Sequence, residues 1–440
     1  MTAKQTERKN EMTIMQEAEL GRVTDALAAV AADEDTAVEE LLPGVAGGRV
    51  AVLRNAKGDR KPVAVGAGMR TKVNANLGTS SDASDLNEEL EKLDAAIAAG
   101  ADAVMDLSTG GDLDAIRRAV LARSTVPVGS VPLYQAAVRA RRAGRGMVNM
   151  TADDMLGAVE DHAADGMDFV TVHCGVTREV ARHCRNAGRV ADVVSRGGSF
   201  LMEWMAYNKR ENPLYERYDD LLDIAAEHDV TLSLGDGLRP GALADANDAP
   251  QIAELTVISE LVGRARERGV QAMVEGPGHV PLQYVTSSVE LEKSLCDDAP
   301  FYVLGPIVTD VAPGYDHIAA AIGGAVAGAA GADFLCYVTP AEHLRLPDVE
   351  DVREGVYALR VAAHAADIAK GVRGAREWDD RLSRARRALD WERVIELSLD
   401  ARKARSFRDA SSPSDEKLCT MCGEFCAIKK MSDVRKGEGE

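Results

Sequence analysis

Three thiols fall within eight residues near the C-terminus, in Cys419-Thr420-Met421-Cys422-Gly423-Glu424-Phe425-Cys426. Two residues separate the first pair and three the second, so all three sulfurs can reach one small inorganic object. A structural zinc site normally closes with four ligands, whereas a 4Fe–4S cluster on three thiolates keeps one iron open. No histidine follows His364 to complete a zinc knuckle nearby. The spacing therefore favours iron–sulfur over zinc. An open iron of this kind suits S-adenosylmethionine, whose amino and carboxylate groups it can chelate in radical chemistry. The usual motif for that chemistry has the longer gap first and lies near the N-terminus. The reversed order here excludes ordinary membership of that group.

Further residues could handle a substrate or a second metal. His279 and His343 each follow a predicted strand end, and two neutral imidazoles suit zinc or ferrous iron (Zn2+ or Fe2+). His317, in Pro313-Gly314-Tyr315-Asp316-His317, is a rival for either role. Ser195-Arg196-Gly197-Gly198 and Asp236-Gly237-Leu238-Arg239 each set an Arg beside glycines. Glycine lets backbone N–H groups approach an anion, and Arg adds a bidentate charge-assisted pair. Glu275, in a Gly- and Pro-walled turn, could ligate an amine or relay a proton.

The elements that must position these groups alternate from about residue 70. Strand-like runs are expected at Lys72–Asn76, Ala103–Leu107, Val126–Val131, Phe169–His173, Thr231–Leu234, Gln271–Glu275, Phe301–Leu304 and Asp333–Val338. Amphipathic helical segments separate them, at Asp85–Ala99, Asp112–Ser124, Asp153–Asp165, Tyr218–His228 and Gln251–Arg268. Eight strands with crossover helices imply an α/β fold, a (β/α)8 barrel. An open doubly wound sheet is the alternative, and no GxGxxG or P-loop follows the first strand to support it. Ala191–Val194 is a ninth, short candidate strand. Every strand ends in a polar or Gly-bearing signature, and a barrel gathers all of these on its C-terminal rim.

Around the barrel, residues 1–69 read as a small N-terminal domain, with helical runs at Glu17–Ala32 and Ala37–Leu42, a strand at Val50–Leu53 and a turn at Lys57–Asp59. The barrel is assigned 70–347, a helical extension 348–410 (with a helix over Arg376–Ala401) and a cluster-binding tail 411–440. Ser411-Ser412-Pro413-Ser414 reads as a linker, and Ser432–Glu440 as a disordered end.

The formal charge of −19 over 440 residues disfavours nucleic acid and anionic membranes as partners. No run of about 18 apolar residues suggests a membrane span, and Met1–Met15 lacks the apolar core of a signal peptide. A cytoplasmic location is expected. Seven cysteines, four scattered singly and three clustered, do not form a disulfide framework.

With these residues assembled, the chain resembles the phosphomethylpyrimidine synthase family of thiamine-biosynthesis radical enzymes. The shared signatures are Lys72–Gly78, Val104–Gly110, Ser195–Ser199, Leu232–Gly241, Glu275–Pro281, Asp310–His317, Cys336–His343 and Cys419–Cys426. The resemblance implies a lyase that uses a 4Fe–4S cluster and S-adenosylmethionine to rearrange 5-aminoimidazole ribotide. The product is 4-amino-5-hydroxymethyl-2-methylpyrimidine phosphate, with loss of formate and carbon monoxide. It implies substrate contacts from Asn55, Met105, Tyr134, His173, Ser195, Arg196, Gly197, Asp236, Gly237, Leu238, Arg239, Glu275 and Tyr302. It assigns the second metal to His279 and His343, and the cluster to Cys419, Cys422 and Cys426. It also implies a homodimer and an electron donor such as flavodoxin or ferredoxin. Two departures stand out: the Cys422–Cys426 gap is one residue shorter than usual, and the Asn55 segment lacks the family's proline and second asparagine. A paralogous activity, 5-hydroxybenzimidazole synthesis from the same substrate, is one alternative. A zinc-dependent barrel hydrolase with a zinc-binding tail is a more distant one.

Overall fold

Short β-branched runs and capped amphipathic segments alternate in the computed structural model, which describes residues 12–411 and 415–437. The helix Leu86–Ala99 shows how local chemistry sets the alternation. Asp85 caps it by accepting from the N–H groups of Asn87 and Glu88, and Gly100 ends it in the left-handed region at φ 92°. Ala152–Asp165 repeats the device, with a Thr151–Asp154 capping box and a left-handed Gly166.

Among the described residues ten strands make two sheets. β1 (Val50–Leu53) and β2 (Val63–Gly66) pair antiparallel as a hairpin. The remaining eight are β3 (Lys72–Leu77), β4 (Ala103–Asp106), β5 (Val128–Ser130), β6 (Phe169–Val172), β7 (Thr231–Leu234), β8 (Ala272–Gly276), β9 (Phe301–Leu304) and β10 (Phe334–Cys336). They run parallel and close into a barrel, Leu335 of β10 pairing with Val73 on one side and Val303 on the other. Their near-continuous burial explains why the strands read as apolar runs without alternation. The (β/α)8 expectation holds.

Helices Ile14–Glu19, Asp25–Asp33 and Val38–Ala46 pack with the hairpin around a second, smaller core that includes Leu27, Leu41, Val45 and Val52. This layer sits at the N-terminal ends of the barrel strands. The side chain of Gln271, just before β8, accepts from the Val52 N–H (2.7 Å) and donates to the Val52 C=O (3.1 Å), and buried Lys72 meets Glu34 at 2.8 Å. The opposite, C-terminal rim is left open for the site.

Several expectations change. Ala191–Val194 is loop, because the N–H groups of Val190 and Ala191 go to the Asp245 carboxylate instead of a neighbouring strand. Glu17–Ala32 is two helices, broken at Gly21 (φ 68°) and restarted by the Thr24 cap. Arg376–Ala401 splits into Ala375–Ala388, Trp391–Glu396 and the start of Ala401–Asp409, where Asp390 and Asp400 supply fresh N-caps. The strand β2 has no counterpart in the sequence reading.

The chain divides into two compact units, Met1–Ala366 and Asp367–Glu440. The helix Val349–Lys370, which opens the expected extension, buries Val352, Val356, Leu359 and Ala363 in the barrel core. The last helix, Ala427–Gly437, covers part of the stretch expected to be disordered. The rest of that stretch, 438–440, lies outside the described residues, as do 1–11 and the linker positions 412–414. Among the described residues no helix is long and apolar enough to cross a membrane, and all seven cysteines are free.

Candidate active site

The C-terminal rim holds a cavity of about 490 Å³ lined by Asn76, Met105, Tyr134, His173, Asp236, Arg239, Glu275, Tyr302 and Cys336, with Leu107, Val131 and Leu304 as apolar walls. Seven expected substrate residues are thus together: Met105, Tyr134, His173, Asp236, Arg239, Glu275 and Tyr302. Met105, Glu275 and Tyr302 lie on β4, β8 and β9, His173, Asp236 and Arg239 follow β6 and β7, and Tyr134 lies in the first turn of the helix Pro132–Arg142.

Glu275 is oriented by two hydroxyls on neighbouring strands, accepting from Thr171 Oγ1 at 2.6 Å and Ser233 Oγ at 2.9 Å. Burial raises its pKa, and that of Asp236 well above the usual carboxylate range. Arg239 offsets part of the penalty on Asp236, donating to its Oδ1 at 3.2 Å, while Asp236 Oδ2 is buried with no partner among the described residues. An unpartnered buried acceptor facing a cavity is poised for a ligand donor. Burial, with Arg239 nearby, lowers His173 to about 3, so its ring is neutral near pH 7. Its Nδ1 also has no partner among the described residues.

The Asp236–Arg239 loop is shaped from behind. Glu254, on the helix Ala249–Glu267, accepts from the N–H groups of Gly237 (2.8 Å) and Leu238 (2.7 Å). The N–H groups of Gly237 and Leu238 are thereby taken up inside the fold, and neither residue lines the cavity. Ser195 caps the helix Arg196–Asn208, accepting from Gly198 N–H at 3.2 Å, and lies 3.4 Å from His173 Nε2. The two glycines after it have a packing role that spacing did not reveal. A Cβ on Gly197 would lie 2.2 Å from the His173 ring, and one on Gly198 would lie 2.0 Å from the Gly237 carbonyl. Arg196 stacks over Tyr134 at 5.0 Å and lines an adjoining cavity with Glu342 and His343.

Asn55 is not part of this assembly. It is fully buried at the opposite end of the barrel, its Nδ2 donating to the carbonyls of Ala163 and Met167, both at 2.9 Å, and its N–H to Asp168. Those bonds satisfy it as a structural link between the hairpin and the start of β6. Asn76 lines the cavity instead, donating to Cys336 Sγ at 3.0 Å, while Asn74 donates to Tyr302 Oη at 2.7 Å. Both asparagines lie in the quoted Lys72–Gly78 signature, and period-2 alternation along β3 would have put them on one face. Thr171 and Glu254 carry no motif, and Ser233 lies in the Leu232–Gly241 signature with nothing in the sequence to give it a role.

His279 and His343 meet, with ring centroids 5.3 Å apart. Asp310 bonds His279 Nδ1 at 2.8 Å, which leaves Nε2 for a metal, and Asp316 lies 3.6 Å from His343 Nδ1. His343 is held at φ 63°. His317 lies 3.5 Å from Glu354. The histidine pair fits a divalent cation that keeps open positions. Among the described residues no group of three or more His, Cys, Asp or Glu side chains is placed to hold a metal ion.

In the second unit the N–H groups of Cys422 and Met421 donate to the Cys419 sulfur and hold its pKa below the ordinary thiol value. Cys426 immediately precedes the N-terminus of the helix Ala427–Gly437. Arg408 braces the approach to the turn, stacking over Trp391 at 4.4 Å and donating to the Leu418 carbonyl at 2.6 Å. Backbone donors aimed at sulfur suit thiolate ligands of an iron–sulfur cluster.

The model of the radical SAM ThiC family matches residues 13–433, which takes in both the barrel cavity and the cysteine turn. The chain belongs to this family. Curated relatives agree over nearly the whole length. It is 60% identical to the phosphomethylpyrimidine synthase of Moorella thermoacetica over 96% of this chain and 98% of the relative. The enzyme of that name from Desulforamulus reducens is 57% identical over 98% of this chain and 100% of the relative. Among solved structures, a dihydropteroate synthase from Thermus thermophilus matches at TM-score 0.41 and 14% identity, covering 72% of this chain and 99% of that one, a likeness too slight to inform the chemistry.

Proposed function

We propose that this family member is a radical lyase that rearranges 5-aminoimidazole ribotide to 4-amino-5-hydroxymethyl-2-methylpyrimidine phosphate for thiamine biosynthesis, releasing formate and carbon monoxide. The buried rim cavity, with Arg239 among Asp236, Glu275 and neutral His173, carries the reading. The relatives' shared name favours the pyrimidine over the 5-hydroxybenzimidazole product. When bound, a 4Fe–4S cluster on Cys419, Cys422 and Cys426 with S-adenosylmethionine supplies the 5′-deoxyadenosyl radical.

The chain's own residues do the rest. Arg239, Arg196 and the N-terminus of the helix Arg196–Asn208 supply the cationic and N–H groups for the ribotide phosphate. Glu275, fixed by Thr171 and Ser233, faces the aminoimidazole and holds or passes a proton there. Asp236 Oδ2 and His173 Nδ1 take substrate donors or hydroxyls. Leu107, Val131 and Leu304 limit water around a reactive intermediate. The same reading gives His279 and His343 to Zn2+ or Fe2+, and includes a cytoplasmic homodimer reduced by flavodoxin or ferredoxin.

Anaerobic incubation of reconstituted protein with the ribotide, S-adenosylmethionine and a reductant, followed by mass analysis, tests this. Pyrimidine phosphate is expected. A hydroxybenzimidazole, or unchanged ribotide from brown, iron-loaded protein, would overturn it.

A further inference from the structure

The charge of −19 is unevenly distributed. Residues 367–440 hold 17 Lys and Arg against 15 Asp and Glu, a net +2, so residues 1–366 carry −21. Part of the second unit's positive charge is already matched: Arg393 pairs with Glu396, Arg405 with Glu392 and Lys429 with Asp415. Arg386 and Arg387 are exposed and in no ion pair among the described residues.

These two arginines and Arg435 surround Ile428 and Met431 in an open groove of about 730 Å³ between the helices Ala375–Ala388 and Ala427–Gly437. The second helix starts on the residue after Cys426. At about 1.5 Å per residue, Arg435 lies about 13 Å along its axis from that thiol. Exposed apolar side chains lie on this helix and in the cysteine turn before it, with Met431 52%, Phe425 71% and Met421 91% exposed.

We infer that this groove receives a small acidic one-electron carrier protein, which reduces the cluster; the inference rests on the radical reading above. One electron leaves the carrier's reduced cofactor and enters the cluster, with no bond made and no proton moved. An apolar centre with Met and Arg matches the composition of protein interfaces, and transient electron-transfer contacts are small, below about 1,200 Å². The first unit's charge repels an acidic carrier. Screening over about 8 Å at physiological salt keeps the attraction local to the basic groove, which steers the encounter there.

The test is stopped-flow reduction of the reconstituted full chain by reduced flavodoxin over a series of ionic strengths. Photoreduced deazaflavin, small and uncharged, is the control reductant. In the Arg386→Glu/Arg387→Glu/Arg435→Glu variant the flavodoxin rate should fall roughly tenfold or more at low salt and lose its salt dependence. Iron content and the deazaflavin rate should not change. An Arg386→Gln/Arg387→Gln variant should show a smaller fall in the same direction, and decides the matter if the triple variant loses iron. Wild-type protein that takes up no iron would overturn the radical reading and this inference with it. Iron bound normally, with a flavodoxin rate indifferent to either variant, would overturn the docking alone.

Discussion

At the barrel rim, Glu275 is pinned by two hydroxyls, Glu254 holds the Gly237–Leu238 backbone, and Gly197 seats a helix against His173. Around the cysteines, only Leu418 and Cys426 are buried between residues 415 and 435. The first region is shaped by packing before any ligand arrives. The second has little apolar burial to hold it, so its order must come largely from metal–thiolate bonds. One enzyme thus joins a preformed cavity to a turn completed by its cofactor, and the difference can be broken or sharpened by substitution.

The largest effect should come from Cys422→Ala, which should take iron from about four atoms per chain to almost none. Ribotide affinity should stay near the wild-type value; a parallel loss of both would make ribotide binding depend on the cluster. Next, Arg239→Ala should weaken ribotide binding by about 1.5–3 kcal/mol, roughly 10- to 150-fold, with iron content intact. An unchanged dissociation constant in calorimetry would remove Arg239 from the phosphate.

The pH response should also belong to the barrel. Folded His173 stays neutral down to about 3, whereas the unfolded chain takes up a proton near its ordinary 6.5. Its stabilising share is therefore complete above about pH 6.5 and lost as pH falls toward 3, about 2 kcal/mol by pH 5. His173→Asn should flatten the difference between urea midpoints at pH 7 and pH 5; an unaltered difference would show that His173 titrates normally. The smallest effects distinguish two asparagines. Asn55→Ala should cost about 1–3 kcal/mol of stability and leave ribotide affinity alone. Asn76→Ala should do the reverse, and identical outcomes would erase the distinction between the barrel's two ends.

The cysteine turn was the most legible part of the sequence because its chemistry depends on spacing within eight residues. The barrel was legible because parallel strands must be joined by crossover helices, and that rhythm survives in the order of residues. What the sequence hid depended on contacts across the fold. Thr171 and Ser233 matter only because β6, β7 and β8 follow one another around the barrel. Glu254 looks like one more helix carboxylate until its helix packs under a loop. Asn55 looked functional through its motif position, yet the hairpin carries it to the far end of the barrel. Gly197 and Gly198 were read as room for a phosphate, and they are also room for a histidine ring and a carbonyl.

Calorimetric titration of 5-aminoimidazole ribotide into cluster-free protein tests the contrast most directly. The preformed cavity predicts binding within a few-fold of the reconstituted enzyme. No detectable binding until the cluster is restored would contradict it.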